Sequence, residues 1–389
     1  MNTRNQITFA SLALLLTGAS LFNNMPASIV KAESAQNVSS PLVKKGQRDQ
    51  ALKQAMEESL KFGFPGILAV ASENGKSRAY VVGVADKVAK KQMEADYRFR
   101  IGSVTKTFTA ATVLHIVGEG RLNLDDSIEK WLPGVIQGNG YDGKQITIRQ
   151  ILNHTSGLTD YLKSPDFDMS ETKKSHTPEE LVKLGLTLPP EFKPGKSWSY
   201  SNTGYVILGM LIERVTGNSY EEEIEKRIIE PLKLSNTFLP GNSRVIPGIN
   251  HARGYGQQNE ASELKDVTYY NPSIASSAGD MISTADDLNK FFSALLGGKL
   301  LKEEQLKQML TSVPTGTKEM PNGYGLGIYQ TKLKNGVSVW GHSGRIPGFS
   351  TIAGGTLGGK HTLAANINYM GETDVLGSFN NILQAEFGE

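Results

Sequence analysis

The apolar positions of this chain change period several times, and each change marks an element. From Gln47 to Phe62 they recur at helical spacing, with Leu52, Ala55, Met56 and Leu60 near one stripe, which predicts an amphipathic helix. Gly66 to Ser72 is a short apolar run. Asn74-Gly75 follows, and then Ala79 to Val84. Two apolar runs around an Asn-Gly turn predict a β-hairpin. From Ser103 to Val117, Phe108, Ala111 and Leu114 share a helical face, and Gly118 and Gly120 stop it. Between about 120 and 290, helical patterns alternate with loops. One runs from Thr203 to Val215 and ends at Gly217-Asn218. Another runs from Thr284 to Leu296, opened by Ser283 or Thr284 with Asp287 in a capping-box-like position and closed by Gly297-Gly298. Strand character returns at Gly336 to Trp340, Ser350 to Gly354 and Thr362 to Asn368, and Val375 to Phe387 predicts a last helix. Strands at both ends with helices between predict an α/β (α+β) fold. One sheet draws on both termini, and a mainly helical lobe is inserted at about 120–290.

The first 32 residues read as a secretory signal. Arg4 gives a positive start, Ile7 to Phe22 is mostly apolar, and Val30-Lys31-Ala32 offers small residues for cleavage. Residues 33–46 are polar and are expected to be disordered, leaving a catalytic domain from 47 to 389. The expected compartment is therefore extracellular, with no stable membrane insertion. Cutting after Ala32 removes Arg4 and Lys31 and no acid, so the formal charge of +2 falls to zero and gives no case for nucleic-acid binding. There is no cysteine, which excludes thiol nucleophiles, thiolate metal sites and disulfide staples. A high glycine count, 41 of 389 residues, points to tight turns and close backbone approaches.

The candidate chemistry starts in "FRIGSVTKTF". Ser103 and Lys106 are three residues apart, so on a helix they share a face. A serine hydroxyl is a weak nucleophile until a base takes its proton. A lysine can be that base only when desolvation or a second cation lowers its pKa. A helix start also offers free backbone N–H groups where an oxyanion would form. The spacing alone is not specific: Ser-x-x-Lys occurs five times, also at Ser28, Ser127, Ser170 and Ser262. The bland alternative is a helix-capping serine beside a solvated lysine. Two further stretches change the balance. "WSYSNTGY" carries Tyr200 and Asn202 just before a helix. A tyrosine oxygen can share the lysine's proton traffic, and an asparagine amide can hold a substrate carbonyl. Tyr-x-Asn recurs at Tyr269 and Asn271. "WGHSGRIPGF" carries His342-Ser343-Gly344 at the end of a β run, and no other Lys or His precedes Ser/Thr-Gly in the chain.

Together and in this order, Ser-x-x-Lys, Tyr-x-Asn and His-Ser-Gly resemble the motif set of the penicillin-recognising serine hydrolases. Within them, the Tyr-x-Asn and His-x-Gly forms resemble the class C β-lactamase and DD-carboxypeptidase-like branch. "ILNHTSGL", "PGKSWSYSNTGYVILG" and "GYGLGI" agree, and the likeness spans about residues 50 to 385. The resemblance implies a β-lactamase/transpeptidase-like antiparallel sheet flanked by helices. It implies Ser103 as the acylated nucleophile, Lys106 and Tyr200 as proton carriers, and Asn202 as the group that positions the substrate amide. His342, Ser343 and Gly344 would line the pocket, with the backbone N–H groups of Ser103 and Arg345 as the oxyanion hole. It implies D-residue peptides as substrates, β-lactams as further ligands, no cofactor, no metal and a monomer.

No motif places an acid as general base, and the reference pKa values of lysine and tyrosine are near 10, so activity is expected to rise into the alkaline range. His342 stands where β-lactamases commonly have lysine and weakens the demand for a substrate carboxylate. Arg345 either supplies a fixed charge or points to solvent, and on this turns the choice between carboxypeptidase and endopeptidase. DD-carboxypeptidase, esterase and β-lactamase readings stay open, as does a non-catalytic penicillin-binding module. His154 is expected in a structural turn near the site, His115 packed or at the surface, and His176, His251 and His361 without partner patterns. No metal-ligand spacing is present. Gly341 to Ser343 starts like a nucleophile elbow, but Arg345 occupies the second glycine position. Trp198, Tyr324 and Phe349 line a side-chain pocket or pack in the core.

Overall fold

The computed structural model describes residues 45–388 apart from 170, 172, 258–261 and 372. The expected signal segment lies outside these residues, as does most of the expected disordered stretch. The exception is at its end, where the first helix, α1, begins at Lys45 and runs to Leu60. Among the described residues no helix is long and apolar enough to cross a membrane.

One seven-stranded antiparallel sheet uses both ends of the chain. Its strands are β1 (Gly66–Glu73), β2 (Lys76–Asp86), β3 (Lys91–Gln92), β4 (Tyr329–Lys332), β5 (Ser338–Ile346), β6 (Phe349–Gly355) and β7 (His361–Ile367), in the order β4-β5-β6-β7-β1-β2-β3. The Asn74-Gly75 turn joins β1 to β2, with Asn74 at φ +51° and Gly75 at +78°, the left-handed geometry such a turn needs. In β1 the side chains alternate between two cores. Ile67, Ala69 and Ala71 face one, and Leu68 and Val70 face the other. The first core is closed by Leu52 and Met56 of α1 and by Phe379, Ile382 and Leu383 of a C-terminal helix. The second continues into the helical lobe.

Three helices carry that lobe's centre: α2 (Thr105–Gly118), α3 (Asn202–Thr216) and α4 (Ala285–Leu296); the C-terminal helix is α5 (Val375–Phe387). Helix α2 is buried on all sides rather than along one stripe. Two of its buried threonines are paired: Thr107 donates to the Gly327 carbonyl at 2.7 Å and Thr109 to the Ser277 carbonyl at 2.8 Å. Gly217 ends α3 at φ +84°. Thr284 caps α4, but Asp287 does not complete a capping box. Its carboxylate instead accepts from the Asn236 amide at 2.8 Å and from the Thr237 hydroxyl at 3.1 Å. Strand β5 runs through His342-Ser343-Gly344 to Ile346, whereas the sequence placed those residues at a strand's end. Gly341 and Gly344 both mark close backbone approach. A Cβ on Gly341 would lie 2.1 Å from the Ala353 carbonyl oxygen.

A polar clamp ties α1, β2, β7 and α5. The Glu386 side chain is fully buried, and its Oε1 accepts from Arg78 at 2.5 Å and sits 2.6 Å from His361 Nε2. Arg78 also pairs with Asp49. Removing one partner of a buried pair leaves an uncompensated charge. Arg78→Ala is therefore expected to cost about 3 kcal/mol of stability in urea denaturation. A loss of under about 0.5 kcal/mol, the size of an ordinary surface change, would refute this.

Candidate active site

Ser103 sits in a single 3-10 turn, Gly102–Val104, directly before α2. Gly102 holds φ +51°, which a side chain would strain. The turn is pressed against β5. A Cβ at Gly102 would lie 2.9 Å from Arg345 N. One at Gly344 would lie 1.9 Å from the Ile101 oxygen and 2.9 Å from Ser103 N. Only glycine at 344 lets the strand come this near, and the approach brings the backbone nitrogens of Ser103 and Arg345 to the same place.

One turn into α2, Lys106 is wholly buried. Its Nζ has three oxygen neighbours: Ser103 Oγ at 3.1 Å, Asn202 Oδ1 at 2.7 Å and the Ala278 carbonyl at 2.7 Å. Burial pushes its pKa down to about 7, with Asp160 pulling the other way. A neutral amine has two N–H donors and one lone pair. The two short contacts, to Asn202 and Ala278, accept the two hydrogens, and the lone pair is left facing the Ser103 hydroxyl. Asn202 begins α3, and its amide orientation follows from its neighbours. A carboxylate only accepts, so Nδ2 faces Asp160 Oδ2, to which it donates at 2.8 Å, and Oδ1 is left facing Nζ.

Tyr200 lies over this group, with its ring centroid 4.8 Å from Lys106 Nζ and its hydroxyl hydrogen-bonded to Ser103. Burial, foremost, raises its pKa well above the ordinary phenol value, so it is present as a phenol, not a phenolate. His154 braces the Tyr200 loop. Its carbonyl accepts from the Ser199 amide at 3.1 Å, its Nδ1 accepts from the Ser201 amide at 3.2 Å, and its ring lies 4.4 Å from that of Tyr200. The histidine itself is in the left-handed region, φ +63°. This is the structural turn the sequence suggested. Burial drives its pKa well down, so it stays neutral.

His342 is buried and locked. Its Nδ1 is 2.5 Å from the Ser343 carbonyl and its Nε2 is 2.9 Å from the Tyr324 hydroxyl. Nδ1–H therefore donates, and Nε2 accepts from the tyrosine. Burial, with the nearby Lys106, pushes its pKa down to about 3, so it carries no charge at neutral pH. Ser343 is half-buried and meets the Tyr329 hydroxyl. The Arg345 side chain is exposed, and its guanidinium donates to the Gly371 carbonyl at 2.5 Å. Trp198, Tyr200, Tyr324 and Tyr329 form an aromatic wall around the two histidines. Phe349 is in the core instead.

The fold thus brings together the residues of the three motifs and the one after them: Ser103, Lys106, Tyr200, Asn202, His342, Ser343, Gly344 and Arg345. Sequence reasoning missed Asp160 and the Ala278 carbonyl. Neither has a local signal, because a lone acid and a backbone oxygen acquire meaning only through folding. Among the described residues no cluster could hold a metal ion. The approach of β5 generates a test: Gly344→Ala is expected to lower turnover by about 10²-fold, the scale of a lost oxyanion donor. Unchanged turnover would show that the two amides are not used.

Known proteins resemble this chain along most of its length. The family model described as "Beta-lactamase" matches residues 48–386. Penicillin-binding protein 4* of Bacillus subtilis is 31% identical over 77% of this chain and 67% of its own. Among solved structures, the D-stereospecific amidohydrolase from Streptomyces sp. is 42% identical with a TM-score of 0.81, covering 87% of this chain and 98% of its own. The D-amino acid amidase from Ochrobactrum anthropi SV3, solved with L-phenylalanine amide, is 29% identical with a TM-score of 0.77 over the same shares. The chain is a serine hydrolase fold with an antiparallel sheet and helices, and it belongs to the beta-lactamase family.

Proposed function

We propose that this protein is a secreted hydrolase of D-residue peptides and amides that works through an acyl-serine. The observation that carries the reaction is the 3.1 Å contact between Lys106 Nζ and Ser103 Oγ, beside two closer oxygens that can take the hydrogens of the neutral amine. Ser103 Oγ attacks the substrate carbonyl while Lys106 Nζ takes its proton. The backbone N–H groups of Ser103 and Arg345 hold the oxyanion. Tyr200 passes its proton to the departing amine as the C–N bond breaks and recovers one from the Lys106 ammonium, which returns to the neutral amine. Water then attacks the acyl-serine and gives a proton to Lys106, the acyl–Oγ bond breaks, and that proton returns to Ser103 as the acid leaves.

Stereospecificity rests on likeness to the D-stereospecific amidohydrolase and the D-amino acid amidase. The endopeptidase reading rests on charge. His342 is neutral, and the Arg345 guanidinium is engaged by Gly371. The neutral His342 therefore offers a substrate carboxylate no charge, which favours an internal or amidated bond over a free C-terminus. β-Lactams enter as ligands through likeness to penicillin-binding protein 4*. Secretion rests on the N-terminal segment. A monomer suffices, because one chain supplies every site residue.

Matched all-D and all-L phenylalanine peptides, incubated with the mature protein, should give cleavage of the D peptide alone, at an internal bond. Ser103→Ala should lower it by at least about 10³-fold. Equal cleavage of both enantiomers would remove the stereospecific reading. The pH profile gives a second check. The base must be neutral, so the acylation rate rises as pH climbs through the Lys106 value of about 7 and then levels. Burial thus moves the alkaline rise expected from unperturbed values down toward neutrality. A burst measured with an activated ester that kept climbing to about pH 10, the ordinary lysine value, would show an unshifted lysine.

A further inference from the structure

Behind the Ser103–Lys106 pair lies a carboxylate with no place in the three motifs. Asp160 is buried, at 7% exposure. Its Oδ1 accepts from the Leu162 amide at 3.1 Å, capping a 3-10 turn, and its Oδ2 accepts from Asn202 Nδ2 at 2.8 Å. Asn202 Oδ1 in turn accepts from Lys106 Nζ at 2.7 Å. An unbroken line of contacts therefore runs Asp160, Asn202, Lys106, Ser103. An amide has two faces, and both are fixed here only because an obligate acceptor holds the NH₂ end. Without that acceptor, Asn202 can turn its NH₂ toward the neutral lysine and take up the lone pair that otherwise faces Ser103.

The surroundings single out this carboxylate. The other groups that face Lys106 are Tyr200, Tyr205, His154 and His342. The two phenols are held well above their ordinary pKa range by burial, and the two imidazoles well below theirs, so all four are uncharged at neutral pH. Around Asp160 stand Tyr161, whose hydroxyl is engaged by the Ile274 carbonyl, together with Asn202 and Lys106; burial raises the carboxyl's pKa, and the Leu162 amide, Lys106 and Asn202 pull it back down.

We propose that Asp160 is a positioning residue that acts through Asn202. It fixes the amide with its oxygen toward Lys106, and its negative charge sets how readily that lysine gives up its proton. The proposal rests on the reading of Ser103 and Lys106 as the acylating pair. It adds that one amide couples the pair to a distant carboxylate. Two consequences separate. Misorientation of Asn202 lowers the plateau of the acylation rate. Loss of the charge removes an attraction for the ammonium, so the lysine deprotonates more easily and the rising limb moves to lower pH.

The test uses p-nitrophenyl acetate as acyl donor. The nitrophenolate burst and the mass of the acylated protein are followed across pH, in the mature wild type, Asp160→Asn and Asp160→Ser. The serine variant keeps an oxygen for the Leu162 amide and so guards against mere loss of the cap. Thermal melts confirm that the proteins compared are folded. The plateau is expected to fall about tenfold or more, and the limb to shift down by about one pH unit, the low end for removal of an opposite charge. In an Asn202→Ala background, Asp160→Ser should lower the plateau little further, since its route to the lysine is already cut. A limb that stays put, with or without a lower plateau, overturns the proposal, because a purely structural role would leave the limb alone. Additive losses in the double variant overturn it as well. Wild type that is never acylated at Ser103 would remove the pair's role and the proposal together. Acylation without cleavage of D-peptides would remove only the substrate assignment.

Discussion

Lys106 is an amine taken fully out of water, and much of the helical lobe is arranged around that fact. An unpaired ammonium in such a place costs several kcal/mol even after relaxation. The chain supplies three oxygens instead, from Ser103, Asn202 and the Ala278 carbonyl. They come from segments that are nearly a hundred and more than a hundred and seventy residues away in sequence, apart from Ser103 in the turn just before α2. Holding them within hydrogen-bond distance requires α2 to be central, α3 to begin beside it, and the turn at Ser276–Ala278 to pack against both. The same burial that threatens stability brings the lysine's pKa toward neutrality, where it can act as a base.

The second constraint is the approach of two backbones. Gly102 and Gly344 face each other across the Ser103 turn, and neither position has room for a Cβ. Side chains there would push β5 away from the nucleophile and part the two amides. Gly102 additionally needs a positive φ. The sheet matters to the site mainly through this contact: it is a rigid platform whose strand β5 carries His342 to Arg345 past the serine at fixed height.

Around the pair, charge is kept low. His342 and His154 are held neutral by burial, and their ring nitrogens are assigned by partners, Tyr324 and Ser343 for the first and Ser201 for the second. The aromatic wall that encloses them lowers the local dielectric and strengthens the few polar contacts that remain. Asp160 is the carboxylate that balances Lys106, and it does so through an amide rather than by direct contact.

Local pattern carried much of the fold. The Asn74-Gly75 hairpin, the helix stop at Gly217 and the last helix, Val375–Phe387, follow from turn chemistry, capping and periodicity, which are properties of a few neighbouring residues. The three motifs also carried the site, since their residue types and order are written in the chain. The reach of β5 through two glycines was not legible, because a glycine that breaks a strand and one that admits a neighbouring backbone look alike until the neighbour is known. The same holds for α2, whose apolar stripe gave no sign that its polar faces are buried too, with Thr107 and Thr109 reaching carbonyls of residues 327 and 277. Asp160 and the Ala278 oxygen are the sharpest case. Sequence alone decided which nucleophile and which lysine could react. Only tertiary structure decided the lysine's proton affinity, because that depends on water excluded and on oxygens delivered from distant segments.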